Sequence, residues 1–356
     1  MIPFFRKIRK KLADDNKPLK YLRYAIGEIV LVVIGILIAL QINNWNESRK
    51  TQQRLTDFFT EIQNNLSGDI IKANFIIDNY IEEDSILRNI KFNKVNYTLD
   101  KFTENRRSFT FIFDYENLRL QTKGFDGLVK NIDNIPVKYG ELMELLNEIY
   151  ISNNYDLVTL NQRIQSITYA NKDNFKNKDW SGTFWDLKFN DNMIKYFQSD
   201  IYKNDARHYF NEKKEFILRV IRFKIDAIDA YKEIAKVNNS DIPIPEHVNY
   251  TFPDPDILSQ FAGDYQIEYE EIDDGGDKCK FLIEENQLKW HYAYKDVNYN
   301  EEFNVPLYWH KNKMFFNYSV ALIWEFGKTN EGNMRLTHRV NGSKNQYIKI
   351  DELAKN

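Results

Sequence analysis

The residue types that do chemistry are present in this 356-residue chain, but not at the spacings chemistry uses. The five histidines, His208, His247, His291, His310 and His338, include no His-x-x-x-His pair, so no helix presents two imidazoles to one metal ion. There is no glycine-rich phosphate loop, no Gly-x-Ser-x-Gly elbow and no Ser-x-x-Lys nucleophile motif. The single thiol, Cys279, cannot close an intramolecular disulfide. It alternates with Phe281 and Ile283, which predicts a buried strand position. The run Asp273-Asp274-Gly275-Gly276-Asp277 holds carboxylates without the ligand spacing of a twelve-residue calcium loop, and reads as a turn. The sequence therefore predicts no enzyme, no metal and no cofactor. One ligand-type signal remains, and it is aromatic. Trp290, Tyr292 and Tyr294 share a face of one predicted strand, and Trp309 and Trp324 can join them. Such a face is either the core of a small domain or a wall that stacks an apolar or carbohydrate ligand.

The element that positions everything else is the stretch Tyr24–Ile42, YAIGEIVLVVIGILIALQI. As a helix its residues rise about 1.5 Å each, about 28 Å in all, which matches a hydrocarbon slab of about 30 Å. Residues 1–23 carry Arg6, Lys7, Arg9, Lys10, Lys11, Lys17, Lys20 and Arg23 against Asp14 and Asp15, a net charge of 8 − 2 = +6. Basic flanks stay in the cytoplasm, so the sequence predicts a single span of the cytoplasmic membrane, N-terminus inside, with everything after Ile42 in the periplasm. Tyr24 and Trp45 fall at the two headgroup layers. A cleaved signal peptide is the competing reading, but Gln41-Ile42-Asn43-Asn44-Trp45 has no small-x-small cleavage signature. Within the span, Glu28 shares a helical stripe with Gly35 and Ala39, and Gly35-x-x-x-Ala39 lets two membrane helices approach closely. The stripe is a candidate for self-association.

The runs FFRKIRKKL and YAIGEIVLVVIGILIALQINNWNE resemble the N-terminal signature of a family of uncharacterised single-pass bacterial envelope proteins, known as a domain of unknown function. Further on, Tyr115-Glu116-Asn117-Leu118 and Gly124-Phe125 are similar to short runs in such proteins. The resemblance implies location and layout, and no activity.

Removing the basic tail from a total charge of −3 leaves −9 on the rest, which argues against nucleic acid as a partner. Leu55, Phe59, Ile62, Leu66, Ile70, Ala73, Ile77, Tyr80 and Leu87 recur at three- and four-residue steps, which predicts one face of a bundle helix that continues the span or restarts after a short break. Helical patterns follow from Asn134-x-Pro136 to about Tyr169, interrupted near Asn153-Asn154, and from near Asp191 and Lys203 onward. Four of the eight prolines, Pro243, Pro245, Pro253 and Pro255, then mark a linker. From Leu258 apolar residues alternate with polar ones, giving seven or eight short strands. The predicted fold is thus multidomain, α then β. It comprises a basic tail (1–23), a transmembrane helix (24–42), an antiparallel helical bundle (43–237), a proline-rich linker (238–257) and a small antiparallel β-barrel or sandwich (258–356). The layout suits an anchored interaction or scaffolding protein, with the bilayer, a second copy or another envelope protein as partners. The alternative is a binding module in the β-domain.

Overall fold

The computed structural model describes residues 7, 18–131, 135–186, 188, 190–251, 254–271, 278–296, 299–311, 314–317 and 322–350. Most of the predicted basic tail and the Asp273–Asp277 turn lie outside the described residues.

Helix α1 (Pro18–Lys91) runs unbroken for 74 residues, through both the apolar span and the predicted bundle stripe. No glycine or proline occurs between Ile36 and Ser67, so nothing local stops the helix. At about 1.5 Å per residue it is about 110 Å long. Its N-terminal part contains a window of mean hydropathy 2.6, none of it buried against the rest of the chain. That makes it long and apolar enough to cross a membrane. Past residue 54 all nine predicted stripe residues are buried, Leu55, Ile62 and Leu66 at 0% exposure.

The bundle is completed by α2 (Leu99–Glu104), α3 (Arg107–Thr110), a 3-10 turn (Phe111–Phe113), α4 (Lys123–Asn131), a second 3-10 turn (Val137–Tyr139), α5 (Gly140–Asn147), a π turn (Glu148–Asn153), α6 (Asn154–Lys176), α7 (Ser181–Trp185), α8 (Asp191–Gln198) and α9 (Asp200–Val237). Where the sequence predicts an interruption at Asn153-Asn154, a π turn carries the helix through instead. Helix α9 packs along both α1 and α6. It is antiparallel to each, as the pairs Gln63 with Tyr231 and Lys213 with Glu83 show on one side, and Asn153 with Asp226 and Arg163 with Glu212 on the other. The space between α1 and α6 is filled by the irregular stretch 95–131, whose Phe109, Phe111 and Phe113 are all buried. Gly124 explains how α4 reaches α1: a Cβ there would lie 2.9 Å from the Ile62 backbone nitrogen, closer than any side chain tolerates.

After the short helix α10 (Pro255–Leu258) comes one antiparallel sheet: β1 (Gly263–Tyr269), β2 (Lys278–Glu284), β3 (Gln287–Asp296), β4 (Tyr299–Pro306), β5 (Tyr308–Trp309), β6 (Met314–Asn317), β7 (Leu322–Lys328), β8 (Met334–Val340) and β9 (Ser343–Lys349). The strand order is β4-β3-β2-β1-β9-β8-β7-β6-β5. This is the order of an up-and-down barrel left open between β4 and β5, a curled half-barrel. Tyr265, Phe281, Leu288, Trp324, Phe326, Leu336 and Tyr347 fill its concave side, and Cys279 is buried with them. The proline-rich stretch is not a free tether: Val248 is buried, His247 bonds Ser67 at 2.8 Å, and the Tyr250 hydroxyl donates to Asp229 at 2.5 Å.

Candidate functional site

Two polar clusters meet on the same turn of α1, one facing the bundle and one facing the sheet. The inner cluster joins Glu83, Glu116, Arg107 and Lys213. Lys213 Nζ is 2.7 Å from Glu83 Oε2 and 2.7 Å from Glu116 Oε2. Arg107 donates to Glu83 at 2.6 Å and to Glu116 at 2.9 Å, and Asn79 adds a bond to Glu116 at 2.8 Å. The Lys213 and Glu83 side chains are 1% and 2% exposed. Two cations balance two anions, which is the condition for burying them. Burial pushes the Glu83 carboxyl up despite Lys213 beside it. Burial acts the same way on Glu116, but Lys213 and Arg107 outweigh it and hold that carboxyl below its ordinary range. Lys213 is held above its ordinary value, its own burial overcome by Glu83, Tyr209 and Glu116.

The outer cluster is the seam between α1 and the sheet. The β8–β9 hairpin turns through Asn341 and Gly342, both with positive φ, 48° and 68°, the conformation favoured for two-residue hairpins. Its tip presses on α1: the Gly342 N–H donates to Asp84 Oδ1 at 2.6 Å, and a Cβ on Gly342 would come within 3.0 Å of the Arg88 nitrogen. Arg88 grips Glu271 through both guanidinium nitrogens, and Lys91 donates to Ser343. Arg339 reaches Ser85 at 3.2 Å while paired with Glu325 at 2.6 Å. Burial would raise the Glu271 carboxyl, yet bonds from Arg88, the Lys344 N–H and Tyr269 bring it down to about 2.

At the other end of the seam His310 bridges three elements. Its Nε2 lies 2.8 Å from Asp78 Oδ1 on α1, and its Nδ1 lies 3.2 Å from Lys224 Nζ on α9. A lysine ammonium can only donate, so Nδ1 accepts and Nε2 carries the proton. Lys311 also pairs with Asp78, at 2.6 Å. Burial, reinforced by the Lys224 charge and opposed by Asp78, lowers the imidazole to about 4. Burial likewise lowers Lys224 to about 8. An Asp–His pair suggests general-base chemistry, but here Lys224 donates to the second ring nitrogen. Among the described residues no group of three or more His, Cys, Asp or Glu side chains could hold a metal ion.

The aromatic residues singled out in the sequence divide. Trp324 is 1% exposed, 4.3 Å from the His338 ring in a stacked pair and 5.2 Å from Trp290. Trp290 and Trp309 are partly buried against the same core. Tyr292 and Tyr294 pair with Phe303 and Glu301 in the β3–β4 ladder; their side chains lie outside the described residues. A Cβ added at Gly35 would meet no atom within 4 Å, and Ala39 is exposed, so both face outward from the apolar part of α1; Glu28 is half-buried.

Residues 28–115 match the model of a family described as one of unknown function, DUF6090. The match covers the span from Glu28 onward, the bundle part of α1 and the stretch that leads to Glu116. No curated protein and no solved structure matches the chain. The short runs that resemble this family are packing devices. Glu116 belongs to the inner cluster, Leu118 is fully buried, and Gly124 allows α4 onto α1. Asp78, Asp84, Arg88, Lys224, Glu271, His310 and Gly342 do not stand out in the sequence as a set. The readable hints are Asn341-Gly342, a strong hairpin signal, and the charged pair Glu83-Asp84 interrupting an apolar stripe.

Proposed function

We propose that this chain is a non-catalytic membrane-anchored scaffold. Its α1 crosses the cytoplasmic membrane once with the N-terminus in the cytoplasm, and its bundle and half-barrel stand in the periplasm. One observation carries the reading: the same unbroken helix bears the apolar span, the bundle core and the dock for the sheet. From Ile42 to the seam at Asp78–Lys91 is 36 to 49 residues, so an upright helix holds the sheet about 55–75 Å beyond the hydrocarbon edge. The basic tail supports the orientation. The occupied imidazole of His310 and the balanced inner cluster support a structural use for groups that could otherwise do chemistry. Partners of this scaffold are a second copy or another envelope protein, with the bilayer held through residues 24–42. Fusions at Asn356 test the placement. A reporter enzyme active only outside the cytoplasm is expected to be active, and one active only in the cytoplasm is expected to be silent; the reverse pattern rules the reading out.

A further inference from the structure

Between Ile149 and Asn171 the chain has only two charged residues, Asp156 and Arg163, in 23. At the overall 28% about six would be expected, and α9 carries 16 in its 38. Both exceptions are turned to α9, Asp156 to Arg219 at 3.2 Å and Arg163 to Glu212 at 2.6 Å. The outward face of the π turn and of α6 as far as Tyr169 is therefore left without charge; the exposed Lys172 and Lys176 close the stripe at its C-terminal end. Large apolar and aromatic side chains stand out on it: Tyr155 is 72% exposed, Ile151 59%, Tyr169 50% and Val158 43%, with the uncharged Gln162 and Gln165 between them. Residues 151, 155, 158, 162, 165 and 169 follow alternating steps of four and three, the spacing of a seam between paired helices. Depletion of charge with tyrosine enrichment marks the centre of a protein interface.

We propose that this seam is where a second copy of the chain docks, parallel and in register, about a two-fold axis along the membrane normal. The inference rests on the membrane-anchored reading above and names its partner surface. Height excludes lipid. Through the pairs Asn153 with Asp226 and Gln63 with Tyr231, Tyr155 stands level with about residue 70 of α1, roughly 42 Å beyond Ile42. Two copies anchored by the same span share direction and height, so the stripe 151–169 meets the same stripe of the second copy, and the helices part before Lys172 and Lys176. A two-fold axis sets each seam residue against itself, and a charge there would face its own like. The absence of charge is what self-pairing requires. Confinement to one membrane plane raises the effective concentration. The Gly35–Ala39 stripe lies far below and is a separate contact.

The test uses the full chain with Cys279→Ser in native membranes. Single cysteines replace Ile151, Tyr155 or Val158 on the seam, and Asn64 or Lys72 on an exposed face of α1. Mild oxidation is expected to give homodimer bands at the three seam positions and none at the two controls. Adding Tyr155→Lys to the Ile151→Cys chain is expected to abolish its dimer band without moving the thermal midpoint, because Tyr155 is exposed. Loss of seam dimers in folded protein overturns the proposal, and so does a seam adduct with the mass of a different protein. Alkaline carbonate extraction of the same membranes reports separately on anchoring: a chain released there refutes the span, whatever the crosslinks show.

Discussion

Replacing Lys213 by methionine is the sharpest perturbation of the bundle. The side chain is 1% exposed and touches Glu83 and Glu116, both at 2.7 Å. Its loss leaves two carboxylates sharing one cation, Arg107, with Glu83 sealed from water. Removing one partner of a buried pair costs about 3–5 kcal/mol. For a unit of this size that lowers the thermal midpoint by roughly 6–20 °C, at about 2–4 °C per kcal/mol. The pH dependence has a definite sign. Burial already holds the Glu83 carboxyl above its ordinary value, and losing Lys213 raises it further. A group with a raised folded pKa takes up a proton more readily folded than unfolded, so the Lys213→Met defect should be largest near pH 7.5 and shrink toward pH 5. Neutralising the partner should repair it: Glu83→Met with Lys213→Met leaves Arg107 and Glu116 matched one to one, and apolar replacement of a buried pair is often neutral. The assay is thermal unfolding of the full chain in detergent, followed by near-ultraviolet circular dichroism at both pH values. A double variant no more stable than the single one, or a single variant indistinguishable from wild type, would refute the charge-balance argument.

Other outcomes follow from the seam and the sheet. His310 is neutral when docked, lowered to about 4 from an ordinary value of about 6.5. The unfolded chain therefore binds the extra proton, and its contribution is full above pH 6.5 and lost as pH falls toward 4. Amide protection in β5 and β6, taken relative to intrinsic exchange at each pH, should fall over that window, and His310→Gln should flatten the dependence. Gly342→Val combines a β-branched residue with φ of 68° and a contact of 3.0 Å with the Arg88 nitrogen; strain of about 1–3 kcal/mol should loosen the hairpin from α1, read as faster proteolysis between β8 and β9 with the helical midpoint unchanged. Trp324→Ala removes a fully buried ring and should destabilise the sheet by about 3–5 kcal/mol, seen as early loss of near-ultraviolet signal.

What the sequence revealed depended on how far apart the interacting residues are. Periodicity along α1 is local, and every stripe residue from Leu55 to Leu87 is buried where a 3.6-residue repeat puts it. Alternation in the sheet is local too, although the opening between β4 and β5 is a matter of strand order, which no short window carries. Asp78 and His310 are separated by 232 residues, and Asp84 and Gly342 by 258. Each alone looks like an ordinary surface polar residue. The stretch 243–255 shows how far a local signal reaches: Val248, His247 and Tyr250 fasten it to the bundle, which proline content does not reveal. The π turn at Glu148–Asn153 left a trace, the asparagine pair at 153–154 that reads as an interruption, but not its outcome, because Asn153 stays buried against Asp226 while the helix continues.

An unbroken α1 also makes the molecule a lever. Arg88 is 46 residues past Ile42, about 69 Å along the axis; with α1 anchored as proposed, a change of about 10° in the angle at which the rod leaves the lipid would swing the half-barrel sideways by about 12 Å. Anything that alters bilayer thickness or neighbouring helices at one end is thereby amplified into a displacement at the other, with no hinge between them to absorb it.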